Sequence, residues 1–198
     1  PPVYFPAVFR GMESPPIVNQ SLISEVYYAV GQRRDWVEIL NPTSWTLDIS
    51  GYKVGDAQGR HAFEGMYKLP PGTILGPREV LVVASTSTGF REDNQDQRPD
   101  LEIFGTDDLV LDMLRYAPWG EGDWHLANDG DQVLLLDGSD RPVDVVAFGE
   151  AAYQGVVTHP GVSVYTHSLE RYPAWFDTDD CSVDFRDWPF PSPGELPE

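Results

Sequence analysis

The chain has 198 residues, 41% of them hydrophobic, and a formal net charge of −19. The apolar share excludes a disordered acidic tail, the charge opposes binding to phosphate backbones or anionic membranes, and a lone cysteine, Cys181, excludes an internal disulfide. No stretch reaches the ~18 apolar residues of a membrane helix, and 18 Gly with 18 Pro favour short strands joined by turns.

Residues 1–19 hold prolines at 1, 2, 6, 15 and 16, which prevent a regular helix and interrupt strands. This segment reads as an extended linker or tether preceding a domain over 20–198. From Ser21 the chain turns strand-like. SLISEVYY (21–28) is β-branched and aromatic, RDWVEILN (34–41) closes on the turn pair Asn41-Pro42, and TLDISGYKV (46–54) alternates, with Gly51 expected at a bulge. A loop at 55–60 leads to a short return strand, HAFEG (61–65). LPPGTILGPREVLVVAS (69–85) predicts a Pro-Gly turn, a short strand, a second turn and a buried strand over 79–84.

Residues 86–125 read as a long loop insertion, polar over STSTGFREDNQDQRPD, with TDDLVLDMLRYA (106–117) open between helix and strand. DQVLLLD (131–137) and RPVDVVAFG (141–149) flank a Gly138-Ser139-Asp140 turn and predict a β-hairpin. A last strand, VSVYTHSLERY (162–172), precedes an acidic coil and a proline-rich tail, together an extended C-terminal segment over 173–198. The expected fold class is therefore all-β: a two-sheet sandwich of about eight strands with at most one short helix.

Each chemical motif has a structural competitor. Glu25 and Glu38 lie inside apolar strands; facing one another across a cleft they would suit glycoside hydrolysis, but no substrate-positioning set accompanies them, and outward projection from half-buried strands is the better reading. Asp177, Asp179, Asp180 and Asp184 form the densest acidic run, with oxygen ligands of the kind Ca²⁺ prefers. Cys181 and Ser182 stand where an EF-hand loop needs a fifth-position ligand and a glycine, and turn capping is the alternative. The same choice applies to Asn128-Asp129-Gly130-Asp131, where a tight strand-entry turn is the better reading.

His61, His125, His159 and His167 form no metal-binding spacing, and no nucleophile elbow or phosphate loop occurs. Acidic neighbours oppose a Cys181 thiolate, which favours a small core residue. Asn19-Gln20-Ser21 matches a glycosylation sequon. Trp119, Trp124, Trp175 and Trp188 lie in loop-like segments, where exposed rings stack on sugars and buried rings close the ends of a sandwich. No catalytic, cofactor or metal residue is assigned.

ISEVYYAVGQRRDWVEILNPTSWTLDISGYKVGDAQG (23–59), LPPGTILGPREVLVVAS, LANDGDQVLLLDGSDRPVDVVAFG and SLERYPAWFDTDDCSVDFRDWPFPSPGE follow one another in the order of motifs seen in bacterial lamin-tail domains, which this chain resembles. The resemblance implies an immunoglobulin-like sandwich without catalytic residues, serving binding or scaffolding beside secreted or membrane-associated enzymes. It also implies a protein or cell-surface partner and no cofactor. PPVYFPAVFR resembles tethers that follow signal peptides, so an extracellular or cell-surface location is expected. Arg171, close to Glu170 and the Asp177–Asp180 run, is expected to pair with a carboxylate and pin the coil to the sandwich.

Overall fold

The computed structural model describes residues 19–28, 31 and 33–196. Apart from Asn19, the segment read as a tether lies outside the described residues. Among the described residues, fourteen strands and two short helices follow in chain order. They are β1 (Leu22–Tyr27), β2 (Trp36–Leu40), β3 (Leu47–Asp48), β4 (Lys53–Gly55), β5 (Met66–Lys68), β6 (Ile74–Leu75), β7 (Val80–Ala84), α1 (Ser87–Asp93), β8 (Leu101–Glu102), β9 (Leu111–Asp112), β10 (Leu114–Arg115), β11 (Gly130–Leu136), β12 (Pro142–Gly149), β13 (Ser168–Arg171), α2 (Cys181–Asp184) and β14 (Phe185–Trp188).

A seven-stranded sheet runs β14-β13-β1-β2-β7-β8-β9 and a five-stranded sheet β10-β5-β4-β11-β12, with a small β3-β6 ribbon beside them. Side chains alternate across a strand, so β1, β2, β7 and β13 send Ile23, Val26, Val37, Ile39, Val83 and Leu169 inward. There they meet Val54, Val133, Leu135, Val146 and Phe148 of the opposite sheet. Each such aliphatic side chain contributes roughly 1.5–3 kcal/mol on burial. The outer faces are covered as well. Tyr27, Trp36, Val82, Ala84 and Phe90 cluster on the seven-stranded sheet, and Met66, Trp119, Leu134, Leu136 and Val145 on the five-stranded one. Two covered faces explain why the central strands read as continuous apolar runs.

The hairpin forms as expected, with β11 and β12 paired from Gly130↔Gly149 to Leu136↔Pro142 and a register shift between Leu135 and Leu136. Asp137 closes its turn by accepting from the Ser139 and Arg141 N–H groups at 2.7 and 3.0 Å. Elsewhere the structure refines the reading. Five of the strands are two-residue pairings, too short to show a period, so the count exceeds eight. TLDISGYKV divides at Gly51, whose φ of 74° turns the chain from the β3-β6 ribbon into the five-stranded sheet. The return strand is β5, just beyond HAFEG.

Two helices occur where at most one was expected. The first, α1, forms within the polar stretch rather than at 106–117. Thr86 caps it by accepting from Gly89 N at 3.0 Å, and its buried Phe90 meets Trp36 edge-on at 6.0 Å. A seven-residue helix anchored by one ring leaves no periodic trace. The second, α2, is a single turn capped by Asp180, and β14 follows it directly, so part of the coil and tail is a strand of the main sheet.

Candidate functional site

Three strands bring three carboxylates together. Glu25 of β1 is the register partner of Glu38 on β2 and of Glu170 on β13. All three are buried, Glu25 and Glu38 completely. They do face outward from the core, as alternation requires, but that face is not open to solvent. The segment after β14 crosses it and donates backbone N–H groups downward: Ser192 N to Glu25 at 3.2 Å and Gly194 N to Glu38 at 2.8 Å. Ser24 Oγ donates to Glu38 at 2.6 Å, Ser168 Oγ to Glu25, and the Arg186 guanidinium pairs with Glu170.

Like charges directly opposed across a sheet repel, and burial removes the water that would screen them. The result is a strong upward shift: burial, with the neighbouring Glu38 and Glu170 charges, raises Glu25 from its ordinary 4.5 to about 8 despite its hydrogen bonds. Burial chiefly raises Glu38 to about 7, with Glu170 and Asp100 adding to the effect. Protonated acids near neutrality are one requirement of acid–base catalysis. A second requirement, substrate access, is not met at Glu25 or Glu38, which lie side by side beneath the crossing segment.

Beside the crossing segment lies a groove of about 430 Å³ lined by Glu170, Arg186, Trp188, Phe190 and Glu195. The Arg186 guanidinium stands 3.8 Å from the Trp188 ring centroid and 4.1 Å from that of Tyr172, and Phe190 meets Trp188 edge-on at 5.8 Å. This aromatic–arginine platform involves Trp188 but none of the other three loop tryptophans. Trp119 and Trp124 are buried, and Trp119 Nε1 donates to Ala57 O at 3.0 Å. Trp175 is half exposed, with Arg78 over its ring.

Three carboxylates of the acidic run, those of Asp177, Asp180 and Asp184, are engaged in local structure. Asp180 accepts from Ser182 N at 3.0 Å, and Asp184 from Thr178 N and Oγ1 at 2.8 Å each. Asp177 lies 3.2 Å from Arg171, the pairing expected for that arginine. In the other acidic stretch, Asp131 accepts from Ala127 N at 2.8 Å, and a Cβ on Gly130 would come within 2.1 Å of Glu150 N, as a tight strand-entry turn requires. Among the described residues no group of three or more His, Cys, Asp or Glu is arranged to hold a metal ion.

Each histidine has a different partner. His61 faces Glu121, His167 Nδ1 lies 2.7 Å from Asp187, His159 Nδ1 accepts from Gly161 N, and His125 binds Asp56 through its backbone. Cys181 is buried against the Ala147 N–H, and burial pushes its thiol up to about 12. Asn19 is exposed, while Ser21 of the same sequon is buried.

Sequence reading missed Asp56, which accepts from the Gly65 and His125 N–H groups at 2.6 and 2.7 Å and is raised by burial to about 7. Its only sequence mark is an acidic residue immediately after a strand. Glu170 and Arg186 were equally hidden, because their pairing depends on β14 lying beside β13.

The sequence model of a family described as Lamin Tail Domain matches residues 18–150, which include β1 through β12. No curated protein matches the chain. Among solved structures, the fold is similar to the crystal structure of a DUF4876 family protein from Bacteroides thetaiotaomicron, with a TM-score of 0.66 and 13% identity. That alignment covers 91% of this chain and 75% of the other. Among the described residues no helix is long and apolar enough to cross a membrane.

Proposed function

Since the chain belongs to the lamin tail domain family, we propose that it is a non-catalytic binding or scaffolding module, an accessory or attachment domain of a secreted or cell-surface bacterial protein. The observation that carries this reading is the roof over Glu25 and Glu38. The groups best tuned for acid–base chemistry have their hydrogen bonds directed to Ser24, Ser168, Ser192 and Gly194 rather than to an open cleft. The partner is a protein or another cell-surface component, and a net charge of −19 repels nucleic acid.

Cross-linking of the purified chain to bacterial envelope fractions, read by mass spectrometry, tests this. A reproducible protein partner is expected. Turnover of chromogenic glycoside or ester substrates that disappears in Glu25→Gln would overturn the reading. A second reading, sugar binding, draws support from the platform of Tyr172, Arg186, Trp188 and Phe190, whose rings lie at the surface beside a groove. Glycan-array binding lost in Trp188→Ala favours it, and flat calorimetry with the same sugars removes it.

A further inference from the structure

Residues 109–115 finish both sheets at once. β9 ends the seven-stranded sheet and β10 ends the five-stranded one, with Met113 alone between them. Met113 is buried in the main core and holds the crossing in place. On the far side of β9 from β8, no strand pairs among the described residues, and the same is true of β10 on its side away from β5. Native sheet edges are ordinarily blunted by lysine, proline, a bulge or very short strands, and of these β9 has only its two-residue length. The run Leu109–Leu114 has no lysine and no proline, and it exposes Leu109, Leu111 and Leu114 at 77%, 66% and 64%. Leu109 in the turn that precedes β9, with Leu111 and Leu114 in the two edge strands, forms an apolar strip that water does not favour.

Charge selects the occupant. A groove of about 440 Å³ beside the strip is lined by Asp107, Asp108 and Asp112 together with Val110 and Leu111. Arg98 and Arg91 neutralise Asp107 at 2.8 and 3.6 Å. Asp108 and Asp112 are exposed and carry no ion pair among the described residues. The nearby Arg115 is engaged by Asp123 and the Gly122 carbonyl. Gly105 makes room for Asp112, because a Cβ there would approach Asp112 Oδ2 to 2.8 Å. A second copy of this chain would set these aspartates against their own kind, which disfavours edge-to-edge dimers.

We propose that the Leu109–Asp112 edge docks an extended peptide segment of a partner protein in which basic and apolar residues alternate. The segment adds as a strand to β9, its apolar side chains cover Leu109 and Leu111, and its lysine or arginine side chains reach Asp108 and Asp112. This deepens the binding-module reading and rests on it.

The test is fluorescence anisotropy with an eight-residue Lys-Val repeat peptide, compared with a Glu-Val repeat. Saturable binding of the Lys-Val peptide alone is expected. The double variant Asp108→Lys/Asp112→Lys is expected to weaken it at least about tenfold, and Leu109→Ser/Leu111→Ser to weaken it without altering charge. Asp129→Lys/Glu150→Lys, which reverses two exposed carboxylates elsewhere, is expected to leave affinity within about twofold. Equal loss in that control would mean that net charge alone attracts the peptide and would overturn the site. Unchanged binding in Asp108→Lys/Asp112→Lys would do the same, as would a dimer of the chain that Leu109→Ser/Leu111→Ser abolishes. An envelope partner captured equally by the wild type and Leu109→Ser/Leu111→Ser removes the edge assignment while leaving the binding-module reading in place.

Discussion

Arg171 Nη2 lies 2.7 Å from Asp144 Oδ2, an ion pair that joins β13 of one sheet to β12 of the other with both side chains buried. Its neighbours explain why it is there. β1 pairs with β13 at Glu25 and Val26, so Ile23 lies beyond that pairing, next to a register shift of β1 against β2 between Ile23 and Glu25. Asp144 accepts from Ile23 N at 2.7 Å and Arg171 Nε donates to Ile23 O at 2.8 Å, so the pair satisfies both. The same guanidinium donates to Phe176 O at 2.7 Å, lies near Asp177 and Asp184, and stands 4.5 Å from the Phe185 ring centroid. One side chain thus ties the irregular edge of β1, the opposite sheet and the acidic coil together.

Removing one partner of a buried pair leaves the other charge without compensation and typically costs about 3–5 kcal/mol. Arg171→Met is therefore expected to lower the melting temperature on the order of 10 °C and to open residues 173–184 to limited proteolysis. Arg171→Lys keeps the charge but loses the fork that reaches Ile23, Phe176 and Asp144 together, so it should recover only part of the loss. Arg171→Met/Asp144→Leu should be less damaged than Arg171→Met alone. Wild-type melting and protease resistance in Arg171→Met would show that the pair does not hold the coil.

The carboxylates beneath the C-terminal crossing give a pH dependence with a definite sign. Glu25 and Glu38, raised to about 8 and about 7, retain protons in the folded chain at pH values where the unfolded chain, near 4.5, has released them. Asp56 at about 7 and Asp131 at about 6 act in the same direction. The folded chain consequently binds more protons between about pH 4.5 and 8, and stability falls as pH rises through that window. Calorimetry should find a higher melting temperature at pH 5 than at pH 8. Glu25→Gln/Glu38→Gln should narrow the difference by raising the value at pH 8. A difference that survives unchanged in the double variant would assign the effect to other groups.

How much of this was legible in sequence depends on where each residue finds its partners. β1, β2, β7 and the β11–β12 hairpin are decided by local apolar content and by a turn whose residues lie within four positions of one another. The carboxylate row was half visible. Glu25 and Glu38 stood out as charges in apolar strands, but their roof is Ser192 and Gly194, 167 and 156 positions away, and no local pattern announces it. For the same reason β14 looks like part of a tail in the sequence, since only pairing with β13 makes it a strand. Arg171 was anticipated in its pairing with the acidic coil, which is close in sequence, but not with Asp144, 27 positions away.

Cys181 offers a chemical check on the packing of the coil. Its sulfur is held 3.5 Å from Ala147 N and 3.6 Å from Val145 O, and burial, with the Asp144 and Asp184 charges adding to it, keeps the thiol protonated up to about 12. Because thiolate is the reactive form, iodoacetamide at pH 8 should label the native chain at least about a hundredfold more slowly than the chain unfolded in guanidinium. Arg171→Met should accelerate native labelling, since the coil that carries Cys181 is the part the arginine anchors. Fast native labelling of the wild-type chain would contradict the burial of this residue.

Two glycines close the base of the hairpin, and they test its geometry without any change of charge. Gly130 and Gly149 are register partners. A Cβ on Gly130 would lie 2.1 Å from Glu150 N, and one on Gly149 would lie 2.2 Å from Asp129 O, with Gly149 also at a φ of 62°. Both contacts are with backbone, so neither can be relieved by turning a side chain. Gly130→Ala and Gly149→Ala must therefore spread the two strands and are each expected to cost about 2 kcal/mol or more. Gly138, in the turn at the other end of the same hairpin, has nothing within 4 Å of its would-be Cβ. Gly138→Ala should be neutral or stabilising by a few tenths of a kcal/mol, roughly, because it restricts the unfolded chain without strain in the folded one. Equal melting temperatures for Gly130→Ala, Gly149→Ala and Gly138→Ala would show that the base of the hairpin is looser than this register allows.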